Sequence, residues 1–578
     1  MSESASASAD KYADYSREQL LAEINRLKNN KKYGLVWEHK KEQVIEDFET
    51  QQPYLQEATE KRIENAPGEP TNLIIEGDNF EALSILNYTH AGKVDVIYID
   101  PPYNTGNKDF IYNDDYVDSE DEFRHSKWLS FMEPRLKLAK NLLCENGFIC
   151  LSIDENEVAT LKLLCDKIFD EKNYIGCAPR KSRGSATTKG TAELQTINDY
   201  LLIYAKNKAA LTLQKKIVGE KTYPYSDERG DFYIVPLQDN GPHGTREARP
   251  NLWYPIYVLD DGSLTYEEPL KYKEKVLPKN HQNKEGCWMW SKKKFDSDKN
   301  DLYIKDGTPY IKHYFVEGED QNKYQYEKLW LEDYQNMKGT KVLGDVLNAK
   351  GVFNNPKPVE LVKFCIKLST NKNAIVLDFF AGSGTTGQST LEQNKDDGGH
   401  RQFILCTNNG DKGPDSTKIA ETITYIRNKT VITGMRQDGT KYSDGIPANL
   451  RYYKIEHKEK KASIDANRLE IVRYLEDIIQ VKENAFEQIE VNEDLALYKN
   501  SERFVGMVFE PFALGEIIES IKEKNSENKP VKLYVFSYSR DAFEDNYETD
   551  FEIEFVAMPE GLLKTYANIV AETKKEDA

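Results

Sequence analysis

Asp100, Pro101, Pro102 and Tyr103 are the residues of this 578-residue sequence whose types and spacing are best suited to chemistry. They follow the apolar, β-branched run from Val94 to Ile99, which predicts a buried strand of a parallel sheet. Ligands of open α/β sheets bind at the carboxyl ends of such strands. A carboxylate, the carbonyl oxygens of two stiff prolines and a flat aromatic ring could hold an exocyclic amine and stack a base taken out of a helix. The alternative is a structural proline turn after a strand.

A second motif begins at Asp378, where an apolar strand runs into a glycine turn and opens a helix. The free amides and the helix dipole at such a turn favour a negatively charged ligand group. Gly382, Gly384 and Gly387 satisfy the G-x-G-x-x-G dinucleotide fingerprint, but an NAD site would need an acidic residue about 20 residues further on. The next strand is followed by asparagines, beginning at Asn408, and not by an acid. The turn therefore fits S-adenosylmethionine better, with the methionine carboxylate on the turn and the ribose held by an asparagine; a loop of structural glycines is the alternative.

These motifs resemble those of amino-methylating DNA methyltransferases. Asp-Pro-Pro-Tyr after a strand is similar to their catalytic motif, Asp378-x-Phe380-x-Gly382-x-Gly384 to their cofactor motif, and Lys357-Pro358 to the motif that precedes it. In related enzymes the residue corresponding to Asp78 meets the adenine amine of the cofactor, whereas a helix N-cap is the alternative for this residue. The cofactor-binding residues that we expect are Asp78, Lys357, Asp378, Phe380, Gly382, Gly384, Thr385 and Asn408.

The order of the motifs is similar to that of the β-class, a circular permutation of the methyltransferase fold, because the catalytic strand lies far upstream of the cofactor strand. Residues 31–38, 244–256 and 287–291 also resemble passages of the modification subunits of Type III restriction-modification systems. The resemblance implies methyl transfer to adenine N6 at a specific site of double-stranded DNA, with base flipping. An Asp at position 100 is the family's usual adenine signature. Cytosine N4 methylation and a non-catalytic DNA-recognition scaffold that kept the fold are the alternatives.

The distribution of charge points to a DNA contact despite a formal net charge of −19. Between residues 271 and 295 eight lysines stand against two glutamates, a local charge of +6. Aromatic residues are interleaved with them at Tyr272, Trp288, Trp290 and Phe295. This pattern favours a surface that pairs with phosphates and stacks on bases, although a lysine run is usually only a solvated face. The DNA-binding residues that we expect are Arg246, Arg249, Lys292, Lys293 and Lys294.

Alternating strand and helix patterns predict a doubly wound, Rossmann-like α/β core. The alternation is interrupted by short strand-like pieces, which predict an inserted target-recognition domain. A helical pattern at Leu20, Leu21, Ile24 and Leu27 precedes the core. We expect a helical arm at 1–70, the catalytic half of the core at 71–206, the insert at 207–340, the cofactor half at 341–455 and a C-terminal accessory domain at 456–578.

Seven scattered cysteines without C-x-x-C pairs predict reduced thiols and no metal site. Since no signal peptide and no apolar run of transmembrane length are found, we expect a cytoplasmic protein without a membrane partner. The sequence contains no Walker-type loop to drive translocation along DNA. The Type III resemblance implies a homodimer that can join a separate restriction subunit with helicase and nuclease activity.

Overall fold

The computed structural model describes residues 16–17, 19–21, 35–40, 42–106, 110–113, 115–184, 194–279, 284–318, 320–410, 418–460, 471–472, 474–536 and 549–577. The helix predicted around Leu20, Leu21, Ile24 and Leu27 lies largely outside these residues. The chain divides into two compact units, of which the first comprises Met1–Gln214 with Lys328–Ala578 and the second Lys215–Glu327. Among the described residues, none of the helices combines the length and the apolar character needed to cross a membrane.

The first unit is built on one large sheet, whose short flanking strand Ile63–Glu64 pairs with its ninth strand. The nine main strands are β1 (Gln51–Glu57), β2 (Thr71–Glu76), β3 (Val94–Ile99), β4 (Leu143–Ile153), β5 (Tyr174–Lys181), β6 (Asn198–Ala205), β7 (Ile375–Asp378), β8 (Gln402–Thr407) and β9 (Asn449–Glu459). Their spatial order is β1-β9-β2-β8-β7-β3-β4-β6-β5.

Six neighbouring strands of this sheet, from β9 to β4, run parallel. Successive side chains of β3 enter different cores, since Ile97 and Ile99 pack in one cluster and Val96 and Tyr98 in another. Both faces of the sheet are therefore covered, and the predicted α/β fold is confirmed. The prediction of a parallel sheet is wrong for β6, which pairs antiparallel with β4 and with β5. Antiparallel neighbours need no crossover from one end of the sheet to the other, whereas parallel neighbours do.

Helices surround this sheet and connect its strands. They are α1 (Gln43–Thr50), α2 (Asn79–Thr89), α3 (Arg124–Leu142), α4 (Val158–Phe169), α5 (Asn336–Leu347), α6 (Val359–Lys367), α7 (Thr385–Asp397), α8 (Ile426–Thr433), α9 (Leu475–Glu483), α10 (Leu514–Lys524) and α11 (Glu560–Asp577). A π-helical turn, Ile419–Tyr425, runs directly into α8.

The C-terminal part of the first unit forms a second sheet that packs onto the large one. Its strands, in spatial and chain order, are β10 (Glu487–Val491), β11 (Leu495–Lys499), β12 (Phe504–Val508), β13 (Val531–Phe536) and β14 (Ile553–Met558). One hydrophobic cluster contains Leu83 of α2 together with Tyr534 and Met558 of this sheet. The Tyr566 hydroxyl of α11 donates a hydrogen bond to the Pro53 carbonyl at 2.8 Å.

The second unit consists of short antiparallel strands around its own core. Its sheets contain Lys216–Glu220 with Asn322–Gln325, then Tyr225–Asp227, Gly230–Pro236, Thr308–Tyr314 and Leu302–Lys305, and finally Leu264–Thr265, Ile256–Val258 and Glu274–Val276. A short helix spans Lys292–Asp298. The core includes the buried side chains of Tyr254, Trp288, Trp290 and Phe295.

Candidate active site

The central strands β3 and β7 bring the two predicted motifs to one edge of the sheet. They are parallel neighbours, with Val96 opposite Val376 and Ile97 opposite Leu377. Asp100 follows β3 and Asp378 ends β7, so both carboxylates lie at the carboxyl ends of adjacent strands. The chain leaves these strands toward opposite sides of the sheet, which makes this edge a topological switch point, where α/β proteins bind ligands.

The Asp100 carboxylate has one occupied and one open oxygen. Its Oδ2 accepts a hydrogen bond from Lys357 Nζ at 2.6 Å. Its Oδ1 is buried and has no hydrogen-bond partner. Since buried oxygens in native proteins are nearly always paired, Oδ1 is an acceptor available for a donor brought by a ligand. Lys357, expected at the cofactor, thus lies against the carboxylate that we expect to be catalytic.

Tyr103 lies beside this ion pair. Lys357 Nζ is 4.9 Å from the centroid of the Tyr103 ring. The phenol oxygen is buried without a partner, and burial together with the nearby Asp100 raises the pKa of Tyr103 well above its ordinary value. The side chain is therefore a neutral aromatic surface, and its stacking on a flipped base stays a prediction.

Buried side chains that the sequence did not indicate hold the turn that follows Asp100. Asn104 adopts a left-handed conformation, with φ of 56°, and donates through Nδ2 to Glu157 Oε1 at 2.6 Å. Glu157 is fully buried, and the same oxygen lies 2.6 Å from His125 Nδ1. Trp128 Nε1 donates to the Pro102 carbonyl at 2.8 Å, which occupies one of its two acceptor positions.

Asp378 holds the glycine turn, residues 379–384, through two hydrogen bonds. Its Oδ1 accepts from the Phe380 amide at 3.0 Å and its Oδ2 from the Thr386 hydroxyl at 2.5 Å. Burial raises the pKa of Asp378 to about 7, and the charge of Asp100 contributes in the same direction. Only 3% of the residue is exposed, so Asp378 acts by fixing the turn.

The glycines of this turn are required by backbone conformation and close packing. Gly384 has φ of 73°, and a Cβ there would lie 2.7 Å from Asn428 Nδ2. A Cβ at Gly387 would lie 2.1 Å from Asn428 Oδ1. Gly384 is the N-cap of α7 and supplies no side-chain cap, which leaves the first amides of the helix for a ligand. The Thr385 hydroxyl donates to the Lys357 carbonyl at 3.3 Å and so connects this turn to Asp100.

Asp78 and Asn408 occupy the ends of β2 and β8, as predicted for that edge. Asp78 is the N-cap of α2, where it accepts from the Phe80 amide at 2.7 Å, and it also lies 3.4 Å from Arg135 Nη2. Asn408 is exposed and accepts from the Gly410 amide at 3.1 Å. Although β8 is followed by no acid, the neighbouring β2 ends in Glu76, which accepts from Asn409 Nδ2 at 2.5 Å.

The candidate DNA contacts of the second unit are largely paired within that unit. Arg246 forms an ion pair with Glu285, Arg249 with Asp239, and Lys294 with Asp298. The three consecutive lysines at 292–294 are exposed.

The prediction that four aromatic residues form an exposed stacking surface is wrong for three of them. Trp288, Trp290 and Phe295 are at most 6% exposed because they form the core of the second unit, whereas Tyr272 is 43% exposed. An aromatic residue between lysines in sequence can point to the opposite side of a strand or helix, so the interleaving did not reveal which side faces solvent.

Residues 94–409 match the family model described as DNA methylase, of the N6 and N4 methyltransferase type. This match covers more than half of the chain and contains Asp100, Lys357 and the glycine turn. The fold and the site define a protein of the α/β class with a buried, half-paired carboxylate at the sheet edge that also carries a glycine turn. The chain belongs to the DNA methylase family.

The chain is similar in sequence to several curated relatives, among them two Mod subunits and one Type II methyltransferase. The chain is 34% identical over 391 residues to the Type III restriction-modification enzyme EcoPI Mod subunit of Escherichia phage P1, covering 61% of this chain and 60% of that protein. It is 34% identical over 342 residues to the Type II methyltransferase M.KpnI of Klebsiella pneumoniae, covering 58% and 79%. It is 35% identical over 368 residues to the Type III StyLTI Mod subunit of Salmonella typhimurium, covering 58% and 52%. The matches thus span between half and two thirds of both Mod subunits.

Proposed function

We propose that this protein transfers a methyl group from S-adenosylmethionine to N6 of an adenine in a specific sequence of double-stranded DNA. The observation that carries the proposal is the buried, unpaired Oδ1 of Asp100 beside an uncapped glycine turn, in a chain of the DNA methylase family. The target adenine is flipped out of the duplex, because its amine cannot be reached inside the stack.

The residues at the switch point fit the cofactor. The open amides at the start of α7 suit the methionine carboxylate. Asp78, Phe380 and Asn408 lie at the same sheet edge and are the candidates for the adenosine part. S-adenosylmethionine supplies an electrophilic methyl group on its sulfonium. Lys357 connects the two halves of the site. Its carbonyl accepts a hydrogen bond from Thr385 after the glycine turn, and its ammonium donates one to Asp100.

Asp100 orients the attacking amine. The lone pair of adenine N6 is delocalised into the ring, so that the amine is a weak nucleophile. Asp100 Oδ1, with the Pro101 carbonyl as the second acceptor, takes the hydrogen bonds of the amine and turns its lone pair toward the methyl group. Formation of the N6–methyl bond would break the methyl–sulfur bond, with the neutral thioether as the leaving group. Asp100 would stabilise the positive charge that develops on N6 and accept the amine proton. The neutral ring of Tyr103 stacks on the flipped base.

The domains and partners follow from the same proposal. We assign residues 71–206 and 341–455 to the two halves of a circularly permuted core, 207–340 to target recognition and 456–578 to an accessory domain. The expected helical arm at 1–70 is wrong for its C-terminal part, because Gln51–Glu57 and Ile63–Glu64 are strands of the large sheet. We propose a cytoplasmic modification subunit that can join a separate helicase-nuclease subunit, and the two relatives named as Mod subunits of Type III restriction-modification enzymes support the role in modification. We propose a homodimer in which one copy reads DNA while the other methylates. Light scattering at micromolar concentration measures the mass, and a fully active monomer contradicts this assembly.

Mapping of modified bases tests the function. Genomic DNA of cells expressing the protein, sequenced by a method that detects base modification on single molecules, should carry N6-methyladenine at one recurring sequence. Cells expressing the Asp100→Ala variant at equal level should carry none. N4-methylcytosine at that sequence would favour the cytosine reaction, and unmodified DNA together with sequence-specific binding would favour the scaffold.

A further inference from the structure

Arg427 of α8 is the one buried arginine, among the residues that the structure describes, without a carboxylate in ion-pair contact. Five arginines are at most 3% exposed. Arg135 pairs with Glu42, Arg180 with Asp199, Arg401 with Asp397 and Arg451 with Glu57. A buried charge is costly unless it is paired, and the four paired arginines follow that rule.

The Arg427 guanidinium lies directly against the glycine turn. Its Nη1 donates to the Ser383 carbonyl at 3.2 Å and to the Thr385 hydroxyl at 2.7 Å. Its Nε donates to Gln388 Oε1 at 2.8 Å. All these acceptors are neutral, and Nη2 is buried without any partner. Arg427 therefore fixes the turn, while no carboxylate in contact with it balances its positive charge.

The carboxylate that acts on the guanidinium, that of Glu392, forms no ion pair with it. Glu392 is reached only through Gln388, whose Nε2 donates to Glu392 at 2.8 Å, and Glu392 also lies 3.7 Å from Lys363. Burial lowers the pKa of Arg427 to about 10, which leaves it charged at neutral pH. In a dry interior such a charge acts over several ångströms on any ligand group at the turn.

We propose that Arg427 is the counter-charge for an anionic ligand group at the glycine turn. The inference rests on the proposed function, under which that group is the methionine carboxylate of S-adenosylmethionine. Arg427 is then a positioning residue that selects cofactors bearing a carboxylate. It acts from beneath the turn, through the potential that it adds to the open amides of α7.

The test compares binding of S-adenosylmethionine and its decarboxylated analogue by calorimetry, with the full-length protein. The analogue keeps the sulfonium and the amine and lacks only the carboxylate. The wild type should prefer S-adenosylmethionine by about 10- to 100-fold. Arg427→Met should weaken S-adenosylmethionine more than the analogue, so that the preference falls toward unity, because both ligands lose the hydrogen bonds that fix the turn and only the carboxylate loses its counter-charge. Arg427→Lys should keep the preference.

Asn428→Ala is the matched structural control, since Asn428 Nδ2 donates to the Gly384 carbonyl at 3.3 Å and carries no charge. It should weaken both ligands equally. Arg427→Met that weakens both ligands equally, or neither, would overturn the inference. If Arg427→Met does not fold, folded Arg427→Lys decides, because loss of the preference in a variant that keeps the cation contradicts the proposal. A wild type that binds neither ligand refutes the proposed function itself, which is a distinguishable result.

Discussion

Lys357 Nζ donates to Asp100 Oδ2 at 2.6 Å across 257 residues of sequence. The Lys357 side chain is 6% exposed and its ammonium lies 4.9 Å from the centroid of the Tyr103 ring, so the Asp100 carboxylate is held by a buried cation through Oδ2 and is unpaired at Oδ1. This pairing gives Lys357 a role at Asp100 that its motif did not indicate.

Replacing Lys357 by Met should lower kcat for methyl transfer by about 10- to 100-fold, because Asp100 loses the donor that orients it. The KM for DNA should change little. Lys363→Met is the matched control, since Lys363 lies on α6, is equally buried and pairs with Asp396. Its kcat should stay near that of the wild type. An unchanged kcat in Lys357→Met, or an equal loss in both variants, would show that the ion pair has no special role.

Replacing Asp100 by Ala should lower methyl transfer by about 10²- to 10³-fold or more, since a preorganised electrostatic partner is lost. Binding of S-adenosylmethionine should persist because the glycine turn is intact. Asp100→Ala should also lower the melting temperature, because the buried Lys357 ammonium loses its partner. The double variant Asp100→Ala with Lys357→Met should recover thermal stability and remain inactive. Recovery of activity in the double variant, or near-normal turnover in the single variant, contradicts this role.

The catalytic strand and the glycine turn were predictable because they are local patterns. An apolar run that ends at Asp100, and another that ends at Asp378, are enough to place both residues at one sheet edge. The residues that support them were not predictable. Glu157 reaches Asn104 over 53 residues, and Arg427 reaches Thr385 over 42, with no motif to mark either. Such contacts arise from tertiary packing.

The pKa of Asp378, raised to about 7 from an ordinary value of 3.8, makes stability depend on pH. Between these values the folded protein holds a proton that the unfolded chain has lost. The free energy of unfolding should therefore fall as pH rises from about 4 to 7, by at most about 1.4 kcal/mol per pH unit, and change no further above pH 7. Asp378→Asn should remove this contribution. Its amide can still accept from the Phe380 amide, and the Thr386 hydroxyl can turn to accept.

Melting curves at pH 5 and pH 8 measure this effect as the difference in melting temperature between Asp378→Asn and the wild type. The difference should shift in favour of the variant at pH 8. Asp477→Asn is the reference variant. Burial raises the pKa of Asp477 to about 6 at a place remote from the turn, so its difference in melting temperature from the wild type should also shift in favour of the variant at pH 8. A difference between Asp378→Asn and the wild type that is the same at both pH values would show that Asp378 is already ionised at pH 5.

Replacing Lys292, Lys293 and Lys294 by Ala should weaken DNA binding and reduce its dependence on salt. Each lost phosphate contact lowers the slope of log K against log salt by nearly one unit, so a change of about one to three units is expected. Lys294 already pairs with Asp298, which favours the lower part of this range.

The second unit should stay folded in this variant, because the three lysines are exposed at the positive end of a short helix, where alanine is at least as stable. The matched control removes three exposed lysines of the same unit, Lys215, Lys216 and Lys323, which lie in or next to the two-stranded sheet of Lys216–Glu220 and Asn322–Gln325, and should leave the slope unchanged. An equal change in both triple variants indicates a general charge effect, and an unchanged slope in the first shows that the lysine run is only a solvated face.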